Sequence, residues 1–438
     1  MTAPTYWLET LGCAKNQVDS EKVQLLLADA GYGMAPNPEG ADVVMVNTCA
    51  FIEDARRESV EMIIGLNDLK KPGTPTVVLG CMAQRFGTEL EKALPEVDSM
   101  LGLDRYGELV GVLDTLTASP QWRPVRLRKP AMDILHLVRR PSPIMPYAYV
   151  KVAEGCDKPC TFCAIPLIRG KQRSRQPQNV VKEVQGLVDA GVTEVVLVAQ
   201  DLAAYGRDLD ASGDIVDLLR MVSQVPGLRM LRLLYLYPKE IRPRLIEEMT
   251  TNPQMARYFD LSLQHSSPRL LRSMKRPGGS ERYLELIKII RDADPESALR
   301  SSFIVGFPGE TEDDVSALAT FLEDAALDWA GIFPYSPEEG TPAASLEARV
   351  DEREVGERLR YLQSVQDDLT ASANLDQVGR RHLVLVDQME DGIAVGRSYR
   401  QAPEIDGVIT LDRGTPGDWV EVEIKSALGA DLEGIVVG

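Results

Sequence analysis

The chain has no apolar run approaching the ~18 residues that a membrane-spanning helix needs. No basic segment followed by an apolar stretch opens it at Met1–Glu9. The expectation is a chain with neither membrane span nor secretory signal, working in the cytoplasm. Internal repeats and low-complexity tracts are also missing, which excludes a solenoid or a largely disordered chain. Basic residues are in deficit: 48 Lys and Arg stand against 66 Asp and Glu, a net charge of −18. Such a chain is a poor general binder of nucleic acid, whose phosphates demand cations. It suits a basic protein partner, or the charge serves solubility alone. Histidine is scarce, with three residues, and cysteine nearly so, with six.

What remains is ordinary globular material. The 438 residues are 44% hydrophobic and 26% charged, enough for two to four domains at about 100–200 residues each. Disulfides do not suit a long cytoplasmic chain. The cysteines fall into two groups of three: Cys13, Cys49 and Cys81 are far apart, whereas Cys156, Cys160 and Cys163 share one loop. Three plus three suggests two metal sites.

Residues 1–120 alternate strand-like and helix-like pieces. Tyr6–Leu11, Ala41–Val46 and Thr76–Leu79 read as strands. A helix is expected over Ser20–Ala30, with Asp19 or Ser20 as N-cap and Gly31 as its stop; further helices follow Ile52 and the third strand. This is the α/β pattern of a doubly wound parallel sheet. Cys13, Cys49 and Cys81 each follow one strand, beside Gly12, Thr48 and Gly80. Carboxyl ends of parallel strands share one edge, where ligands bind. A shared site is therefore expected; burial as small apolar side chains is the alternative for each thiol alone.

Residues 121–146 hold six prolines if Pro120 is included, and Arg123, Arg126, Arg128, Lys129, Arg139 and Arg140 against Asp133. They read as a solvated linker. Residues 147–370 carry six strand candidates: Tyr147–Ala153, Glu194–Ala199, Leu231–Leu236, Phe259–Leu263, Ser301–Val305 and Gly331–Pro334. Six β/α units imply a barrel or partial barrel with its site at the carboxyl ends of the strands. A helix over Glu352–Leu375 leads to residues 377–438, whose short runs read as a small β-barrel of the OB kind.

The sharpest motif is Cys156-Asp157-Lys158-Pro159-Cys160-Thr161-Phe162-Cys163. Three thiolates in one loop suit three irons of a 4Fe–4S cluster and leave the fourth open to a small molecule. Zinc competes, but structural zinc usually takes four protein ligands, and no fourth Cys or His is near.

This C-x3-C-x2-C loop after the first barrel strand resembles the radical S-adenosylmethionine (SAM) superfamily. Leu11-Gly12-Cys13 with Lys15-Asn16, Asn47-Thr48-Cys49 and Gly80-Cys81 resemble the N-terminal domain of the methylthiotransferases, and the final segment resembles their TRAM domain. Leu11–Glu21, Asn47–Ser59, Val150–Arg175 and Ala402–Gly407 are similar to the branch that modifies a ribosomal protein (RimO), rather than the tRNA-modifying branch (MiaB). Residues 378–438 carry 6 basic and 11 acidic side chains, net −5, which suits a basic protein better than tRNA.

The resemblance implies two 4Fe–4S clusters, on Cys156, Cys160 and Cys163 and on Cys13, Cys49 and Cys81. It implies SAM as both radical source and methyl donor. The product would carry a methylthio group on the β-carbon of an aspartate in the small-subunit ribosomal protein numbered twelve; a tRNA adenosine is the alternative substrate. An electron donor protein and a sulfur source are implied partners. Gly306, Pro308, Gly309 and Glu310 resemble a SAM-lining stretch, or form only a turn. Gln200 and Asp201 are candidate ribose or amino contacts, with an N-cap as the rival reading of Asp201. His265 is either a site residue or structural, and Phe162 packs on adenine or shields the cluster. Arg169, Arg173 and Arg175 steer a carboxylate or form a solvated basic face. Tyr335, Ser336 and Pro337 match a family stretch of unassigned role.

Overall fold

The computed structural model describes residues 3–118, 125–126, 140–141, 143–210 and 213–437. Its first sheet contains β1 (Thr5–Thr10), β2 (Gly33–Met34), β3 (Val43–Thr48), β4 (Thr76–Leu79), β5 (Ser99–Leu101) and β6 (Val125–Arg126). The strands are parallel, in the order β2-β1-β3-β4-β5-β6. Every residue of β3 and β4 is buried, as their Val-rich sequences require of strands covered on both faces. Helices α1 (Ala14–Asp29), α2 (Glu53–Leu69), α3 (Gly80–Ala93) and α4 (Leu109–Ala118) provide the cover.

Helix α1 starts at Ala14, earlier than its sequence suggests, so Asp19 and Ser20 are interior residues and not caps. The reason is tertiary. The helix lies between two domains and buries Lys15, Asn16, Asp19, Ser20 and Lys22 alongside Val18, Val23 and Leu27. Polar residues with buried partners hide the amphipathic pattern that marks a helix start. Gly31, at φ +86°, does stop it.

The central sheet begins with β7 (Tyr147–Lys151) and a small ribbon, β8 (Ala153–Glu154) with β9 (Arg173–Ser174). It continues through β10 (Glu194–Val198), β11 (Met230–Leu233), β12 (Tyr258–Gln264), β13 (Ala298–Val305) and β14 (Trp329–Pro334). Parallel triplets β7-β10-β11 and β12-β13-β14 meet through isolated bridges, Leu231 to Met255 and Leu236 to Leu261. The arrangement is a partial barrel. Helices α5 (Ile165–Arg169), α6 (Pro177–Asp189), α7 (Ile215–Ser223), α8 (Pro243–Thr251), α9 (Pro268–Ser273), α10 (Ser280–Ala293), α11 (Glu312–Ala325) and α12 (Glu352–Leu375) complete this region. Alternate residues Ala148, Val150, Val195, Leu197, Leu231 and Leu233 pack outward into one large core. Tyr147, Tyr149, Val196, Val198 and Met230 belong to a second cluster on the opposite face, lining the barrel interior.

The C-terminal strands β15 (Arg381–Glu390), β16 (Ile393–Arg397), β17 (Ile409–Leu411), β18 (Trp419–Leu428) and β19 (Asp431–Val436) close into a five-stranded barrel. Between β16 and β17, the segment around Ala402–Gly407 plugs the amino ends of the central strands. Tyr147 Oη donates to Glu404, Tyr149 Oη to the Pro403 carbonyl and Tyr258 Oη to Asp406, at 3.0, 2.9 and 2.6 Å. Most of the expected linker lies outside the described residues. Arg140, read as part of a solvated run, is instead buried and paired with Glu21 and Glu183. No helix among the described residues is long and apolar enough to cross a membrane.

Candidate active site

Cys13, Cys49 and Cys81 sit at the carboxyl ends of β1, β3 and β4, three adjacent strands about 4.8 Å apart. The register aligns those ends: Thr10 faces Asn47, Asn47 faces Leu79, and Thr48 bridges Gly80. Strand order reverses between β1 and β3, the position at which open sheets bind ligands. Cys13 caps α1, and Cys81 lies in the first turn of α3, where partial positive charge favours thiolate.

Two glycines make the approach possible. Gly12 has φ +90°, and a Cβ there would stand 2.7 Å from Cys49 Cβ and 2.9 Å from its Sγ. Gly80 has φ +91°, and a Cβ there would stand 2.3 Å from Asn47 Oδ1. Asn16, fully buried, ties the strand ends together: its Nδ2 donates to the carbonyls of Leu11 and Thr48 at 2.9 and 3.0 Å. All six cysteines are free thiols. Burial pushes the Cys81 thiol up to about 12, against the opposing effect of Arg169. Burial also acts to raise Cys13, but Lys15 and Arg169 outweigh it and hold that thiol below its ordinary value.

The second triad needs no such assembly. Its loop leaves β8 through Gly155, at φ +78°, where a Cβ would stand 2.2 Å from the Lys171 carbonyl oxygen. The backbone is pinned on both sides: Cys156 N–H donates to the Gly170 carbonyl at 3.0 Å, and Thr161 N–H to that of Met274 at 3.1 Å. Arg276 Nη1 lies 3.5 Å from Cys160 Sγ, and Lys158 N–H 3.4 Å from Cys156 Sγ. Burial pushes Cys156 up to about 11 and Cys163 up to about 12. Iron bound there would reverse this, since a coordinating thiol is deprotonated outright. Among the described residues no three His, Cys, Asp or Glu form a group that could hold a single metal ion; a cluster, if held here, would take its thiolates on separate irons.

The residues proposed around this loop separate into two sets. Gln200 and Asp201 lie at the carboxyl end of β10. Both polar atoms of the Gln200 side chain are buried without a partner. Asp201 is almost wholly buried; it stands at the N-cap position of a short 3-10 turn, Leu202–Ala204, as the rival reading has it, but its carboxylate makes no capping hydrogen bond. It pairs with Lys158 Nζ at 3.2 Å, which also reaches Glu240 at 2.6 Å. Burial raises Asp201, with Lys158 opposing. An orphaned, buried amide beside the cysteine loop fits a polar small molecule bound there. Phe162 is half-buried against the central core.

The other set faces inward. Glu310 accepts the Gly306 N–H with both oxygens at 3.0 Å and pairs with Arg358 at 2.8 Å. His265 is fully buried; Nδ1 accepts the N–H groups of Ser266 and Ser267, leaving Nε2 3.6 Å from Glu310. Gly306, at φ +76°, packs against Val355 of α12, where a Cβ would come within 2.5 Å. Pro308 and Gly309 complete this turn, and Gly309 N–H donates to the Ala348 carbonyl. These residues brace the turn after β13 against α12. Tyr335–Pro337 sits between domains: Ser336 Oγ accepts the Glu53 N–H at 3.1 Å, and neighbouring Glu338 pairs with Arg56 and Arg85 of the first domain.

The basic triplet differs most from its sequence reading. Arg169 and Arg175 form no solvated face; both are buried, and Arg173 is half-buried. Arg169 pairs with Glu154, and Arg175 with Glu183 at 2.7 Å. They belong to two ion clusters between α1 and the central domain, Arg169 with Asp19 and Lys151, Arg175 with Lys22 and Arg140. Sequence reasoning missed Asp19, Lys151, Glu154 and Glu183, because nothing local marks a charge that will be buried.

Residues 5–102 match the family described as Uncharacterized protein family UPF0004, residues 150–322 the Radical SAM superfamily and residues 378–437 the TRAM domain. The chain is 41% identical to "Ribosomal protein uS12 methylthiotransferase RimO" of Cutibacterium acnes, over 98% of this chain and 97% of that one. It is 42% identical to the protein of the same name from an Anaeromyxobacter species, over 100% and 94%. Among solved structures it resembles the radical S-adenosylmethionine methyltransferase TsrM from Kitasatospora setae, solved with cobalamin and a 4Fe-4S cluster. The TM-score is 0.56 at 14% identity, covering 78% of this chain and 74% of that one. That likeness is one of fold.

Proposed function

The chain belongs to the RimO family of ribosomal protein methylthiotransferases, and from that premise we propose that it adds a methylthio group to the β-carbon of an aspartate in ribosomal protein uS12. The observation that carries the reading is near-full-length identity of about 40% to relatives bearing that name. The reaction belongs in the cytoplasm, with a basic ribosomal protein as substrate and with an electron donor protein and a sulfur source as further partners.

The proposed division of labour follows three units, 1–120, 147–370 and 377–438, with 121–146 as linker. Cys156, Cys160 and Cys163 hold one 4Fe–4S cluster, and Cys13, Cys49 and Cys81 the other. When bound, the clusters and SAM supply a 5′-deoxyadenosyl radical, a methyl group and a carrier for the sulfur to be transferred. Gln200 and Asp201 would meet polar groups of SAM, which would satisfy the Gln200 amide that no protein group reaches. Phe162 shields one side of the cysteine loop. Gly306, Pro308, Gly309, Glu310 and His265 shape the facing wall, with Glu310 fixing the turn through the Gly306 N–H. Lys158 holds Asp201 and Glu240 together across the loop. The acidic C-terminal barrel attracts a basic substrate and repels RNA.

The test is the intact mass of uS12 from cells with and without this gene. A methylthio-sized increment present only with the gene is expected. An unmodified protein in both strains overturns the substrate, and tRNA becomes the next candidate.

A further inference from the structure

The segment carrying Cys156, Cys160 and Cys163 does not end its work at Cys163. Helix α5 follows immediately and closes on Arg169, whose side chain is 1% exposed. One end of the guanidinium faces home: Nη1 donates to both oxygens of Glu154, each at 2.9 Å, and Glu154 stands two residues before Cys156. The other end crosses into the first domain. Nη2 donates to Asn16 Oδ1 at 2.8 Å and lies 3.2 Å from Cys81 Sγ. Asn16 is the side chain that ties the Leu11 and Thr48 carbonyls, the residues just before Gly12-Cys13 and Cys49. A single cation thus touches one thiol of the first triad and, through Asn16, braces the chain leading to the other two.

We propose that Arg169 is a positioning residue for the cluster held by Cys13, Cys49 and Cys81, setting both the hold on that cluster and its reduction potential. The proposal rests on the two-cluster reading above. A charged N–H donor to a ligand sulfur stabilises the more negative, reduced state of a cluster and so raises its potential. Only an arginine fork can reach a carboxylate on one side and an amide and a sulfur on the other. Glu154 sets the strength of the effect, because it neutralises part of the charge that Cys81 feels.

The test uses the full chain with C156A, C160A and C163A, so that one cluster remains, reconstituted without oxygen. Iron and sulfide per chain are measured first; if this parent binds no cluster, the two-cluster reading fails rather than the role of Arg169. The midpoint potential then follows from a redox titration read by electron paramagnetic resonance. R169Q is expected to move it to more negative values and to speed iron loss to a chelator about tenfold. R169K is expected to fall between R169Q and the parent. E154Q is expected to move the potential the other way. A merely structural ion pair does not give opposite signs. An unchanged potential in a fully loaded R169Q overturns the proposal. If R169Q fails to fold, an unchanged potential in E154Q overturns it instead, and a positive shift supports it.

Discussion

Cys156, Cys160 and Cys163 lie on eight consecutive residues, whereas Cys13, Cys49 and Cys81 come from three strand ends scattered through the first hundred residues. The loop triad depends on its own spacing plus a few backbone pins, such as Cys156 N–H to the Gly170 carbonyl. The strand-end triad depends on sheet register, on Gly12 and Gly80, on Asn16 and on a residue from another domain. A site written into a short loop tolerates disturbance elsewhere. A site assembled from distant segments inherits the stability of everything that aligns them.

That contrast can be broken most sharply by removing each triad. The triple C156A, C160A, C163A chain is expected to lose formation of 5′-deoxyadenosine entirely. The triple C13A, C49A, C81A chain is expected to keep it while making no methylthiolated product. Chromatographic assay of 5′-deoxyadenosine beside mass spectrometry of uS12 separates the two, and equal loss of both activities in both chains would remove the division of labour.

Glycine substitutions sharpen it. At Gly12 an alanine meets left-handed strain of about 1–2 kcal/mol and a clash with Cys49. G12A is expected to lose about half of the bound iron, all from the strand-end triad, with 5′-deoxyadenosine formation nearly intact. Iron retained at both triads would show that the sheet edge has slack.

A smaller effect is expected from the charges that anchor α1. Burial acts to raise Glu183, but Arg175, Lys22 and Arg140 outweigh it and hold its carboxyl at about 2. A carboxyl lowered on folding stabilises the protein above its unfolded value, near 4.3, and that contribution fades as pH falls towards 2. The linkage is on the order of 2–3 kcal/mol. Metal-free wild type should therefore lose Tm steeply from pH 5 to pH 3, whereas E183Q should start lower at pH 7 and fall less. Parallel Tm profiles for the two proteins would place the acid sensitivity elsewhere.

The mildest test concerns reactivity. In metal-free protein at pH 8, iodoacetamide should modify Cys13 several-fold faster than Cys81, because one thiol is held low by Lys15 and Arg169 and the other is pushed up to about 12. Peptide mapping reads the order, and a faster Cys81 would contradict the electrostatics of the site.

Much of the fold and the grouping of the loop cysteines was legible from sequence because those features are local. Thr76–Leu79 and Glu352–Leu375 coincide with their expected ranges, since an apolar run and a long helical pattern are properties of consecutive residues. Cys156, Cys160 and Cys163 were legible as a spacing. Cys13, Cys49 and Cys81 were legible only through topology, because each follows a strand. The early start of α1 was not legible, as its buried polar residues have partners in another domain. Nor was the inward turn of Glu310 and His265 towards each other. Arg169 reads as one cation among several after the cysteine loop. Only the folded chain, by packing α1 against the central domain, carries its guanidinium to Glu154, Asn16 and Cys81 at once. Short-range pattern and spacing therefore came from the sequence itself. Which charges are buried, and what they face, came from tertiary structure, because the cost of burying a charge is offset only by partners that folding brings from far along the chain.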